Sequence, residues 1–123
     1  MILMRVSEAI NEYNTVFGKE IEIEGIAEIS FAMSVIYDSR GKRGTGDPIT
    51  PGVLVHGNYL KTLVESLPNP LTTYVGSEIL YIVKVKVVGI VANTGYTFAP
   101  LKFGHIYEVE FDDDYTGLQR LTC

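Results

Sequence analysis

The chain has 123 residues, 46% of them hydrophobic and 20% charged, and a formal net charge of −5. That length makes one domain, long enough to bury a core without disulfides or metals, and the composition excludes disordered, collagen-like and disulfide-scaffold classes. The charge is uneven: residues 1–36 and 108–123 each carry −4 while 37–61 carry +2 and 62–107 carry +1, so the overall sign does not describe every surface.

Val6, Ile10, Tyr13 and Phe17 recur at helical spacing and predict a helix over 6–17, with Ser7 as cap, Glu8 and Glu12 near its positive end, and Gly18 ending it. From Lys19 to Phe31 the period becomes two: Ile21, Ile23, Ala27 and Ile29 alternate with glutamates, which predicts a half-buried strand. Gly25 in its middle suggests a bulge or sharp bend. A second strand is expected over Ala32–Asp38. Ser39–Gly52, with four glycines, two prolines and three basic residues, reads as a surface loop. Val53–His56 is a short strand, and Asn58 caps a helix built on Leu60, Leu63, Val64 and Leu67 that Pro68 and Pro70 terminate. Ile79–Val91 is a long strand rich in β-branched residues, bent at Gly89. After the turn Asn93-Thr94-Gly95, Leu101–Gly104 reads as irregular and Ile106–Phe111 as a last strand, followed by an acidic tail from Asp112 to residue 123.

Helix, three strands, helix and two strands, with the second helix between the third and fourth strands, is an order that resembles the OB-fold. That family is a five-stranded, partly open Greek-key barrel that takes ligands on the face of its second and third strands. Gly18-Lys19 leading into Ile21-Glu22-Ile23-Glu24-Gly25 looks like the opening strand of small bacterial OB domains, including the anticodon-binding type. The resemblance covers residues 18–111. It implies a mainly β fold in one domain over 1–123, with an N-terminal helix (6–17), the barrel (18–111) and the acidic tail (112–123). It also implies that the fourth strand lies between the first and fifth, so that Lys84 and Lys86 run between Glu20, Glu22, Glu24 and Glu108, Glu110. Opposite charges on neighbouring strands stabilise a sheet by about 0.2–1 kcal/mol per pair.

Arg40, Lys42 and Arg43 stand among glycines in the loop Ser39–Gly46, where backbone donors and cations could meet phosphates. This is not a Walker sequence, because Gly41-Lys42 is followed by Arg43 and the first glycine is missing. Tyr37, beside that loop, and Tyr96, between the last two strands, are placed to touch a ligand, whereas Tyr13, Tyr81 and Tyr107 are assigned to packing. Asp112–Gly117 fails as a calcium loop, since Thr116 and Cys123 occupy its fifth and twelfth positions. His56 and His105 are isolated in sequence and there is one cysteine, so no zinc-type spacing exists. No metal or cofactor is expected. Nor is there a nucleophile elbow or a distinctive carboxylate pair, which leans against an enzyme.

Cys123 has no second thiol with which to bridge, and Met1–Met4 falls short of a signal-peptide core. The longest apolar stretch, Ile79–Ala92, is 14 residues and holds two lysines, too short and too charged for a bilayer span. A cytoplasmic location is expected. The function expected is a non-enzymatic OB-fold-like binding module that takes single-stranded nucleic acid weakly, through Tyr37, Arg40, Lys42, Arg43, His56 and Tyr96. Three cations supply only a modest phosphate attraction. One alternative is a protein-interaction module of inhibitor or immunity type, presenting Glu20, Glu22, Glu24 and Asp112–Asp114 to a basic partner. The other is a small enzyme with His56 or His105 as base.

Overall fold

A computed structural model describes residues 2–38, 52–73, 78–96 and 99–123. In chain order its elements are β1 (Ile2–Arg5), α1 (Val6–Asn11), α2 (Tyr13–Val16), β2 (Glu20–Ile29), β3 (Met33–Tyr37), β4 (Val53–His56), α3 (Tyr59–Glu65), β5 (Tyr81–Asn93), β6 (Leu101–Asp113) and β7 (Gly117–Thr122). The strands pair in the order β2-β3-β4-β6-β5, and β5 returns to β2, which closes a five-stranded barrel. Neighbours within the barrel are antiparallel except β4 and β6, which run parallel and meet through the single residue pair Leu54 and Lys102. This closed, mainly β architecture with α3 between β4 and β5 is the expected fold class and is consistent with an OB-like fold.

Period-two alternation explains the core. Ile21, Ile23, Ala27 and Ile29 of β2, Ile36 of β3, Val53 and Val55 of β4, and Val83, Val85, Val87 and Val91 of β5 point inward and are buried. Leu60 and Val64 of α3, and Val6, Ala9 and Val16 of the N-terminal helices, join the same cluster. Gly25 does not bulge the strand: its register with β5 is continuous from Glu20 to Ile29. It sits where β2 exchanges one neighbour, β1, for another, β3. A Cβ there would lie 2.5 Å from the Tyr37 carbonyl oxygen, so the glycine is required by a close backbone approach.

Several expectations are corrected. Residues 2–5 form β1, parallel to β2, so the helix begins at Val6 rather than being capped by Ser7, whose N–H instead donates to Asp38 Oδ2 at 3.0 Å. The helix also breaks at Glu12 into α1 and α2. Tyr13, assigned to packing from its spacing, is 38% exposed because the interrupted helix turns Val16 inward instead. The stretch Leu101–Gly104 is strand. Its inward residues are Leu101, Phe103, Ile106, Val109 and Phe111, and the pairing with β5 passes over Gly104 and Tyr107. Each extra residue is a bulge that shifts the alternation by one, which hides the strand from a period-two reading and leaves Tyr107 exposed. The acidic tail is a hairpin: Asp113 Oδ2 accepts the N–H groups of Tyr115 and Thr116, and β7 then pairs back along β6.

The added strands β1 and β7 extend a charge pattern across five neighbours. One row of registered positions reads Arg5, Glu24, Lys86, Glu110, Arg120, alternating in sign from edge to edge. Lys84 Nζ lies 3.5 Å from Glu24 Oε1, and Arg120 reaches both Glu108 and Glu110 at 2.8 Å. The hydrogen bond to Glu110, together with the charges of Glu108 and Glu110, raises the Arg120 pKa further above its ordinary value. Lys86 is registered between Glu24 and Glu110, whereas Lys84 is registered with Ile26 and Asp112 and reaches Glu24 from the neighbouring position.

Candidate functional site

With Val53 and Val55 inward, Leu54 and His56 of β4 point outward, and on β3 the registered partners Val35 and Met33 do the same. Directly after His56 the chain reverses at Gly57, whose φ of 67° lies in the left-handed region glycine favours, and α3 starts at Tyr59. On the other flank, the bulged part of β6 presents Gly104 and His105 outward. These three segments enclose a cleft of about 350 Å³ with Val55, Phe103 and Ile106 as its apolar floor and His56, Tyr59, Gly104, His105 and Cys123 around it. The lining holds no aspartate, glutamate, lysine or arginine side chain.

Aromatic rings continue the cleft in both directions. The His105 and Tyr107 rings meet edge to face with centroids 4.6 Å apart. At the β2–β3 turn, Phe31 is 65% exposed and Lys61 Nζ of α3 stands 5.2 Å from its ring centroid. The C-terminal residue is drawn in by its own backbone, the Cys123 N–H donating to the Tyr107 carbonyl at 2.7 Å. Burial, then the hydrogen bond and charge of Cys123 beside it, push the Tyr59 hydroxyl up to about 12.

The residues singled out from sequence are distributed over more than one place. His56 lines this cleft together with His105. Tyr96, 57% exposed, lines a separate hollow of about 250 Å³ with Tyr13, Asn93, Gly95 and Pro100. Tyr37 closes β3 at the end away from His56, half-buried beside the Gly25 backbone. Arg40, Lys42 and Arg43 lie outside the described residues. A third hollow, lined by Arg5, Glu24, Gly25, Ile26, Asp38 and Lys84, satisfies much of its own charge through the Lys84–Glu24 pair and the Asp38 bond to Ser7.

Sequence reasoning missed Tyr59, Phe103 and Gly104 as lining residues. The signal for them is the parallel contact of β4 with β6, which carries His56 and His105 to one cleft. Among the described residues no group of three histidine, cysteine, aspartate or glutamate side chains could hold a metal ion. No described helix is long and apolar enough to cross a membrane. Comparison of the chain with protein-family models, curated proteins and solved structures finds no match.

Proposed function

We propose that the chain is a non-enzymatic OB-fold-like binding module, nearest in type to the small bacterial anticodon-binding domains, and that it takes single-stranded nucleic acid weakly along the outer face of β3 and β4. One observation carries this reading: Phe31, Met33, His56, Tyr59, His105 and Tyr107 form an exposed aromatic and thioether strip beside a cleft whose lining has no aspartate, glutamate, lysine or arginine side chain. Bases stack on such faces for about 1–3 kcal/mol each, with little regard to sequence. Lys102 on β6, opposite Leu54, and Lys61 on α3, which also pairs with Glu65 one turn on, border the strip and could meet phosphates. The alternative of an acidic surface meeting a basic partner has less support, because two of its carboxylates are already engaged, Glu24 by Lys84 and Asp113 by the N–H groups of Tyr115 and Thr116.

Fluorescence anisotropy with labelled single-stranded DNA and RNA tests the reading. Saturable binding at low salt is expected, falling as salt rises, and Phe31→Ala and Arg43→Ala should each weaken it several-fold. Flat titrations with both nucleic acids at low salt would end it.

A further inference from the structure

We propose that the cleft between the end of β4, the start of α3 and the bulged stretch of β6 is a seat for a single nucleobase. The inference rests on the reading of the chain as a nucleic-acid-binding module and names what that module would hold at this one place. The cleft's volume of about 350 Å³ is at the small end of the range for small-molecule pockets, room for one base with its sugar rather than a run of stacked bases. Phe103 and Ile106 offer an apolar floor, and His105, its ring held edge to face against Tyr107, one aromatic side. Two imidazoles supply hydrogen-bonding edges of the kind that read a splayed base in single-stranded recognition.

Charge selects the part of the ligand that enters. A phosphate brought into a lining without lysine or arginine would lose water and gain no counter-charge, so the uncharged base goes in and the phosphates stay out toward Lys61 and Lys102. The bulge contributes as well. Gly104 is skipped by the pairing with β5 and carries no side chain, so a planar ring can approach the backbone closely there.

Adenosine, cytidine, guanosine and uridine, titrated separately into the full chain, test the seat through the ring C–H signals of His56 and His105 in NMR spectra. At least one nucleoside should shift both signals saturably, and His105→Ala and His56→Ala should each weaken it about tenfold, the effect of losing one stacking or edge contact. Both histidines are exposed, so the variants should keep the fold. Tyr115→Ala, at an 88% exposed turn position, should leave nucleoside affinity unchanged. If no nucleoside moves either histidine up to its solubility limit, the seat is overturned, even where oligonucleotides bind and the module reading stands. If a nucleoside binds and is lost in the histidine variants while oligonucleotide titrations stay flat, the seat holds and the wider module reading falls.

Discussion

Gln119 is a buried polar side chain, and both ends of its amide are used. Its Oε1 accepts the Asn69 N–H at 3.1 Å and its Nε2 donates to the Asn69 carbonyl at 2.8 Å, tying β7 to the segment after α3. Removing it strands two backbone groups, and Gln119→Ala should cost about 1–3 kcal/mol, measurable by urea unfolding. Tyr59 gives a prediction of a different kind. Its hydroxyl value is raised in the folded protein from the ordinary 10.0 to about 12, so its contribution to stability is complete below pH 10 and lost as pH rises through about 12. Tyr59→Phe should therefore flatten the alkaline fall in stability over that window and lower the phenolate absorbance gained near pH 12 in an ultraviolet titration. At this scale the sequence was a good guide wherever alternation was unbroken, as for Ile21, Ile23 and Glu22. It could not show a partnership such as Gln119 with Asn69, because neither residue belongs to a periodic pattern.

Among the elements, β2, β3, β4, α3 and β5 were legible because each holds one hydrophobic period along its length and ends at a glycine, proline or polar turn. β6 was legible only in its second half. Its inward residues are separated by two, three, three and two positions, because the pairing with β5 passes over Gly104 and Tyr107. β1 and β7 were hidden for a related reason: each is short, has one registered neighbour and borrows its burial from the barrel. The alternating row of charges links these strands. Lys86→Glu would place a carboxylate between Glu24 and Glu110, and should destabilise by about 0.5–1 kcal/mol more than Lys86→Ala. The difference should shrink at high salt, as screening removes the repulsion, and urea unfolding at two salt concentrations would measure it.

For the molecule as a whole, the barrel and its strand order were what the resemblance of the element order to the OB-fold implied, and the lysines of the fourth barrel strand agreed with it. The cleft did not. His56 and His105 become neighbours only because the barrel closes, and closure sets contacts between residues far apart in sequence that no local pattern records. The same closure is uneven in strength. β5 is zipped to β2 over ten registered pairs and to β6 over a further ten, whereas β4 is joined to β6 by one. A cylinder sewn this way has a seam, and thermal opening begins where the stitching is thinnest. Amide hydrogens of β4 should therefore exchange with deuterium well before those of β2 and β5. Because the His56–His105 cleft straddles that seam, an occupant bound there would act as a clasp, slowing exchange on β4 and the first half of β6 while leaving the β2–β5 wall unaffected.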